Sequence, residues 1–443
     1  MAGHTGSLSR RWQIALAVVA VAAVAVGGLA VLVRTQTAPG AVAWPAISGP
    51  PSPSSPASSP TSTAAPPVQP SPAPTVTGGP PADTVHLDDR YRARYGGRYI
   101  GWDALIEAGR PLPRTGAGCR ADWRAARRDD ALDWSKAGYV CLDQLTGTGF
   151  KPQGVAGSGS TTGYAIGGHP AERRNLVLVT SYSTKREPGL RFPHDPGRTE
   201  ATRLTVLDLD RRRYATVELV KPVDADRLTA LDSHGSGLAW AGQYLYSSSK
   251  TALFQYNVDD LMEVDGHFVL PAVARWSVSG QGGLSSIGVD RSTDPASLIG
   301  INYHQTGTAW TQRLALDRAG RLTQGRSRAE HRLDLTLTFG PGPATVRSTR
   351  SSVVAGTNFQ GVGTVDGYRL VNSSSLMLDG RRHGDNVVIM RKGVVLARFA
   401  MPSENIESLY VDHRRRRYVT VTEHGSQFLF WLPTEHLISR AER

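Results

Sequence analysis

The residues able to do chemistry stand singly along this chain, mostly in short polar loops. Three histidines do so: His234 in SHGSG, His304 in NYHQ and His424 in EHGSQ. Three imidazoles converging on one axis could hold a divalent metal, but no HExxH or other ligand spacing accompanies them. Hydrogen bonding is therefore their expected role, and no metal or cofactor is expected. The acids in comparable loops are Glu407, Glu423 and Asp232. Glycoside cleavage needs two carboxylates facing each other across a pocket, and Glu407 and Glu423 fall within a single repeat. No GxSxG, Walker loop or dinucleotide fingerprint occurs, so no catalytic residue is assigned. The only cysteines, Cys119 and Cys141, fit one disulfide in an oxidising compartment, not a metal site.

The elements that must position these residues are best read from Ser233–Leu261. Three short strands are expected there: Ser236 to Trp240, Gln243 to Tyr246, and Ala252 to Val258, with Ser247–Ser249 breaking the second from the third. Alternation with period two between turn residues marks half-buried antiparallel strands. Degenerate copies of the unit recur. Small-residue strands open at Gln153, Ser236, Ser286, Gln360 and Glu407, and each is followed by apolar strands such as Leu176–Val179, Leu298–Ile301, Tyr368–Val371 and Tyr418–Val421. Fourth strands are expected at Ala215–Val220, Val273–Val278, weakly at Arg321–Arg326, and at Val394–Phe399. The last unit lacks one, whereas Tyr139–Leu142 precedes the first unit unpaired. The pattern predicts an all-β chain, a five-bladed β-propeller over 139–443 that an early strand closes, with six blades as the alternative. A β-sandwich is the competing architecture.

In a propeller, loops entering the innermost strands share one face with loops joining second and third strands. That face collects Gln153, His234, Ser236, His304, Asn358, Gln360, Glu407 and His424, the candidate ligand-binding set, with Lys151, Ser181, Ser247, Ser248, Gln281, Asn372 and Glu423 among their neighbours. Convergent polar groups in a funnel form the default ligand pocket. The opposite face collects cations in tight hairpins, Arg211–Arg213, Arg318, Arg321, Arg391, Lys392 and Arg414–Arg417. There they are expected to be solvated and to guard strand edges; the alternative is docking on an anionic surface.

These blades, with the openings Gln153-Gly154-Val155, Ser236-Gly237-Leu238 and Gln360-Gly361-Val362, resemble the broad class of secreted or membrane-tethered bacterial β-propeller proteins. The resemblance implies the fold and a tendency to bind. It carries no catalytic residue.

The N-terminal third of the chain is of another kind. After a short N-terminus (1–12) with Arg10 and Arg11, residues 13–33 form an uncharged apolar run long enough to cross a bilayer. The flanking arginines favour a cytoplasmic N-terminus and an extracellular remainder; secretion after cleavage near Ala43 is the alternative. Residues 34–84 are dominated by Pro, Ser, Thr and Ala and read as a disordered stalk. Residues 85–138 are expected to be a lead-in segment packed on the propeller, with helices at Asp103–Ala108 and Ala121–Ser135. The net charge is +12, and only six of the 50 basic residues are Lys. That balance suits an anionic cell-wall polymer or an envelope protein as partner, beside the membrane itself, and nucleic acid is not expected. The sequence thus reads as a membrane-anchored extracellular binding or scaffolding module, with a polysaccharide hydrolase or lyase on the same face as the alternative.

Overall fold

The computed structural model describes residues 97–126, 132–147, 149–183, 200–224, 227–280, 283–303, 308–323, 333–339, 345–347, 349–355, 358–374, 377–378, 381–382, 385–402 and 405–443. All lie in one unit of the chain, Gly79–Arg443. The expected N-terminus, membrane span and stalk, together with His304 and Gln281, lie outside the described residues. No helix among the described residues is long and apolar enough to cross a membrane.

The fold is all-β and propeller-like. Sets of four antiparallel strands follow one another along the chain. The first set runs Phe150–Gly157, Leu176–Ser183, Thr202–Asp208 and Arg213–Asp224; the second runs Gly237–Ala241, Tyr244–Ser249, Ala252–Asn257 and His267–Gly280. The third runs Ser286–Asp290, Ser297–Ile301, Thr308–Ala315 and Thr349–Ala355, and the fourth Phe359–Val365, Tyr368–Ser373, Asn386–Arg391 and Val394–Ala400. The last set, Ile406–Asp412, Arg417–Thr422 and Phe428–Pro433, takes its fourth strand from far upstream. Gly138–Cys141 pairs with it antiparallel, Tyr139 opposite Phe430 and Val140 opposite Leu429.

Small residues let the innermost strands converge. A Cβ on Gly154 would stand 2.8 Å from the Gly235 carbonyl oxygen, and one on Gly237 would stand 2.7 Å from Ser286 Cα. One on Gly361 would stand 2.6 Å from Leu409 N, and one on Gly157 would meet the Tyr410 ring at 2.6 Å. Each inner strand therefore abuts the next, and the last abuts the first. Ser286 Oγ and Ser408 Oγ, 3.1 Å apart, bond between the inner strands of the third and last sets.

Burial grades outward. Gly237–Ala241 is buried at every position, whereas the outer strand Val394–Ala400 is largely exposed along one face. Tyr244–Ser249 is buried at all but its last residue, so the expected half-burial is corrected. Neighbouring sheets cover both of its faces, which removes the alternating pressure on polarity. The serines also continue this strand and do not break it. Asp366–Gly367 and Lys392–Gly393 each turn with positive φ at both residues, the conformation that matches the twist of paired strands.

Two further corrections concern edges. The outer strand of the third set is Thr349–Ala355, not Arg321–Arg326. The intervening insertion contributes Leu333–Phe339, which pairs with His267–Gly280 at the edge of the second set. The helix expected at Ala121–Ser135 instead spans Ala117–Ala126, followed by a single 3₁₀ turn at Trp134–Lys136. Both tryptophans serve packing. Trp123 stacks on Tyr139 at 4.6 Å and meets Phe428 edge-on, while Trp134 meets Phe430. Cys119 of this helix is disulfide-bonded to Cys141 of the closing strand.

Candidate functional site

Titratable groups converge where the first and last sets meet, on the face of the inner-strand entries. Glu407 sits on the last inner strand and Glu423 just past the strand paired to it. Tyr182 ends the second strand of the first set, and its hydroxyl donates to Glu423 Oε1 at 2.8 Å. The Tyr182 ring in turn stacks against His234, centroids 4.1 Å apart. Lys151 Nζ lies 3.0 Å from His424 Nδ1. An ammonium has only protons to give, so Nδ1 is the acceptor in this contact, and the ring's Nε2 lies 3.4 Å from Glu423 Oε2. Lys151, His424, Glu423 and Tyr182 thus form a continuous chain from the first set to the last.

Glu407 is only 1% exposed. Burial drives its pKa well above the ordinary carboxylate range, and the charges on Glu423 and then Asp385 push it further. Two close carboxyls resist ionising together, which is why the neighbouring charge adds to the effect of burial on Glu407. Its Oε2 is buried without a hydrogen-bond partner, as are the hydroxyls of Ser181 and Ser248 near the same end of the sheets. Burial, then the charge on Glu423, also lifts the Tyr182 phenol above its usual range.

The other expected residues take different places. Gln153 is buried, and its amide donates to the Pro152 carbonyl at 3.0 Å. Ser236 is buried, and Gln360 is half-buried. Asn358 holds a positive φ of 57°, a conformation Asn tolerates better than most residues. Asn372 is committed to the scaffold. It donates to the Glu407 carbonyl and to Thr420 Oγ1, both at 2.8 Å, and accepts from the Tyr418 hydroxyl at 2.7 Å. Sequence reasoning missed Tyr182 and Asp385. Tyr182 directly follows Ser181, so its place at a strand end was the available signal. No three His, Cys, Asp or Glu side chains among the described residues converge to hold a metal ion.

On the opposite face most of the hairpin cations are exposed, among them Arg212, Arg318, Lys392 and Arg414, but some are also bound into the fold. Arg213 donates to the carbonyls of Ile106 and Glu107 at 2.9 and 2.8 Å. Arg415 reaches the Arg173 carbonyl at 3.0 Å, and Arg416 bridges Asp366 at 2.6 Å and Glu435. These side chains tie hairpins to the N-terminal helix, to a neighbouring loop and to the C-terminal helix. The hairpins share a further device, an Asp whose carboxylate caps the turn. Asp208 accepts from the amides of Asp210 and Arg211, Asp290 from Ser292, Asp317 from Ala319 and Arg321, and Asp412 from Arg415. Short polar side chains favour such turns because they mimic a backbone acceptor.

No protein-family model matches the chain, and no curated protein matches it. Among solved structures it is similar to a gluconolactonase from Xanthomonas campestris, 13% identical with a TM-score of 0.32, covering 73% of this chain and 96% of that one. It is also similar to Raptor from Chaetomium thermophilum, 10% identical with a TM-score of 0.30, covering 72% of this chain and 30% of that one.

Proposed function

We propose that the five four-stranded sets are the blades of one closed ring and that this ring is the binding head of a membrane-anchored protein. In this reading residues 13–33 cross the plasma membrane with the N-terminus cytoplasmic, and residues 34–84 form a stalk. The head then stands outside the cell, where its polar face recognises a hydroxyl-rich polymer of the envelope. A partner protein of the envelope is the other occupant of that face.

One observation carries the choice of ligand. The charges of the cluster are spent on one another, Lys151 through His424 to Glu423, while the buried Glu407 Oε2 and the hydroxyls of Ser181 and Ser248 keep unspent bonding capacity. Buried polar groups are nearly always satisfied by protein, water or ligand. A neutral polyol supplies the needed donors and acceptors without adding charge.

A second reading, a polysaccharide hydrolase or lyase, is favoured by Glu407, whose raised pKa would keep it protonated as a general acid. Against it stands the placement of Glu407 and Glu423 side by side in one blade. Cleavage requires carboxyls about 5–9.5 Å apart on either side of the scissile bond.

The test uses the full chain in detergent, screened against envelope glycans and cell-wall polymers. Binding without product release, weakened roughly tenfold by Ser181→Ala together with Ser248→Ala as expected for two lost hydrogen bonds, supports the binding reading. Chain shortening that Glu407→Gln abolishes would establish the enzyme instead. Absence of both sinks the two together.

A further inference from the structure

A cavity of about 390 Å³ lies between the closing strand Gly138–Cys141, the first set and the last set. Three separate stretches of chain bring arginines to it. Arg114 comes from the segment after the short strand Arg110–Pro111, Arg212 from the hairpin between Thr202–Asp208 and Arg213–Asp224, and Arg417 from the start of Arg417–Thr422. Backbone bonds hold the first of these against the second. Arg110 pairs with Tyr214 and Pro111 with Arg213, and the Leu112 amide donates to the Arg212 carbonyl at 2.7 Å. No carboxylate lines the cavity among the described residues. The acids nearest in sequence are engaged: Asp210 accepts from the Asn175 amide at 2.9 Å, and Asp412 from the Arg415 backbone amide at 2.8 Å. The side chains of Arg114 and Arg212 are exposed and make no hydrogen bond or ion pair among the described residues.

An indole stands among these cations. Within the run Phe428 to Leu432, only Trp431 is partly exposed. Its ring lies over bare backbone, because a Cβ at Gly138, its partner in the ladder, would collide with the indole. The guanidinium carbon of Arg417 stands 5.7 Å from the Trp431 ring centroid, so a cation and an aromatic plane are presented together. Thr115 and Gln144 line the same cavity and make no side-chain hydrogen bond among the described residues.

We propose that this cavity binds an acidic sugar, a hexose ring that carries a carboxylate or a phosphate. The C–H face of the ring lies on the Trp431 indole, and the acid group is bonded by Arg114 and Arg212. An indole offers a large flat apolar surface, and guanidinium forks match the oxygens of either acid group. Thr115 and Gln144 supply donors and acceptors for the ring hydroxyls. An inorganic anion would leave the indole uncovered, a neutral sugar would leave the guanidiniums without a counter-charge, and an aromatic acid would leave the hydroxyl and amide unused. An acidic sugar uses all three. The volume falls within the roughly 300–1,000 Å³ of small-molecule sites. The site shares no residue with the acid cluster, so its fate does not bear on the reading of the polar face.

The experiment titrates the full chain in neutral detergent with glucuronate, glucose 6-phosphate, glucose, inorganic phosphate and benzoate at fixed ionic strength, read by calorimetry. Saturable binding of one equivalent of glucuronate or of glucose 6-phosphate is expected, and the tighter of the two identifies the acid group. Glucose, inorganic phosphate and benzoate should each bind more weakly than that acidic sugar. Arg114→Ala and Arg212→Ala should each weaken its binding roughly tenfold, the usual cost of a lost charge-assisted bond. The melting temperature should not change, since neither side chain holds the fold. Lys392→Ala, at an exposed hairpin residue that does not line the cavity, should bind as the parent does. Absence of saturable binding of both acidic sugars at millimolar concentration overturns the proposal. So does glucose, inorganic phosphate or benzoate binding as tightly as the acidic sugar, because the ring, the charge and the hydroxyls would then not be read together. Equal losses in Lys392→Ala and in the arginine variants would overturn it as well, as the mark of diffuse charge.

Discussion

Tyr182 and Glu423 are hydrogen-bonded at 2.8 Å across 241 positions of sequence, so one phenol couples the first four-stranded set to the last. The coupling is local to the seam between the first and last sets of strands. Tyr182→Phe keeps the ring that stacks on His234 and removes only the donor to a carboxylate. A hydrogen bond to a charged group contributes about 1.5–3 kcal/mol, and partial exposure of Glu423 puts the expected loss at the lower end. The denaturation midpoint should fall with an unchanged slope, since the surface exposed on unfolding is the same. A midpoint equal to the parent's would show that the bond does not hold the seam.

Glu407 gives the fold a pH dependence of defined sign. Its folded-state pKa is raised by burial and by Glu423 and Asp385, against an ordinary value of 4.5. Below that value both folded and unfolded chains hold the proton. Above it the unfolded chain releases the proton and the folded one keeps it, so stability falls as pH rises. Glu407→Gln is neutral at every pH and retains a donor toward Glu423. Its melting temperature should match the parent's near pH 4 and exceed it at pH 8. An offset of the same size at both pH values would refute the assignment.

Close approach of the inner strands makes certain glycines irreplaceable for steric reasons alone. A Cβ at Gly237 would lie 2.5 Å from Ile287 N and 2.7 Å from Ser286 Cα. Both belong to the backbone of the neighbouring inner strand, which cannot step aside. Gly237→Ala should cost about 1–3 kcal/mol or more, as overpacking does. Gly118 is the contrast. It lies in the helix Ala117–Ala126 with open space around its Cβ position, and Gly118→Ala should stabilise by about 0.8–1 kcal/mol. Equal effects at the two sites would mean that the inner strands are not packed as described.

The inner strands were legible in the sequence for the same steric reason. Gly154, Gly237, Gly361 and Ser408 are small because strands meeting near an axis leave no room, and small residues ahead of apolar runs are visible in one dimension. The pairing of Val140 with Leu429 was legible as a strand without a partner at each end. What escaped was whatever depends on neighbours distant in sequence. The insertion before Thr349 carries a respectable strand pattern, yet part of it serves the preceding sheet, and nothing in alternation states which edge a strand will join. Arg213 and Arg416 read as solvated charge because their partners, backbone carbonyls near Ile106 and the carboxylate of Glu435, lie in other segments. The acid cluster was half legible. Glu407, Glu423 and His424 were named from their loops, but Tyr182 looked like one more strand residue.

The closing strand is held twice, by its ladder to Phe428–Pro433 and by the Cys119–Cys141 bond. The covalent tie spans 22 residues, with Cα atoms 6.4 Å apart. Closing a loop of that length removes about 3 kcal/mol of unfolded-state entropy in the chain-entropy model. Cys119→Ser with Cys141→Ser should therefore lower stability by about that amount, and reductant should do the same to the parent while leaving the double variant unchanged. The loss should also be felt unevenly. Trp123 packs on Tyr139, Phe428 and Phe430 from the helix that carries Cys119, so untying the helix loosens the seam before the other sheets. Amides of Gly138–Cys141 and Phe428–Pro433 should exchange faster in the variant, while those of Gly237–Ala241 keep their protection, as expected for sub-global opening. Uniform acceleration across all sheets would mean that they open as one unit and that the seam is no weaker than any other junction.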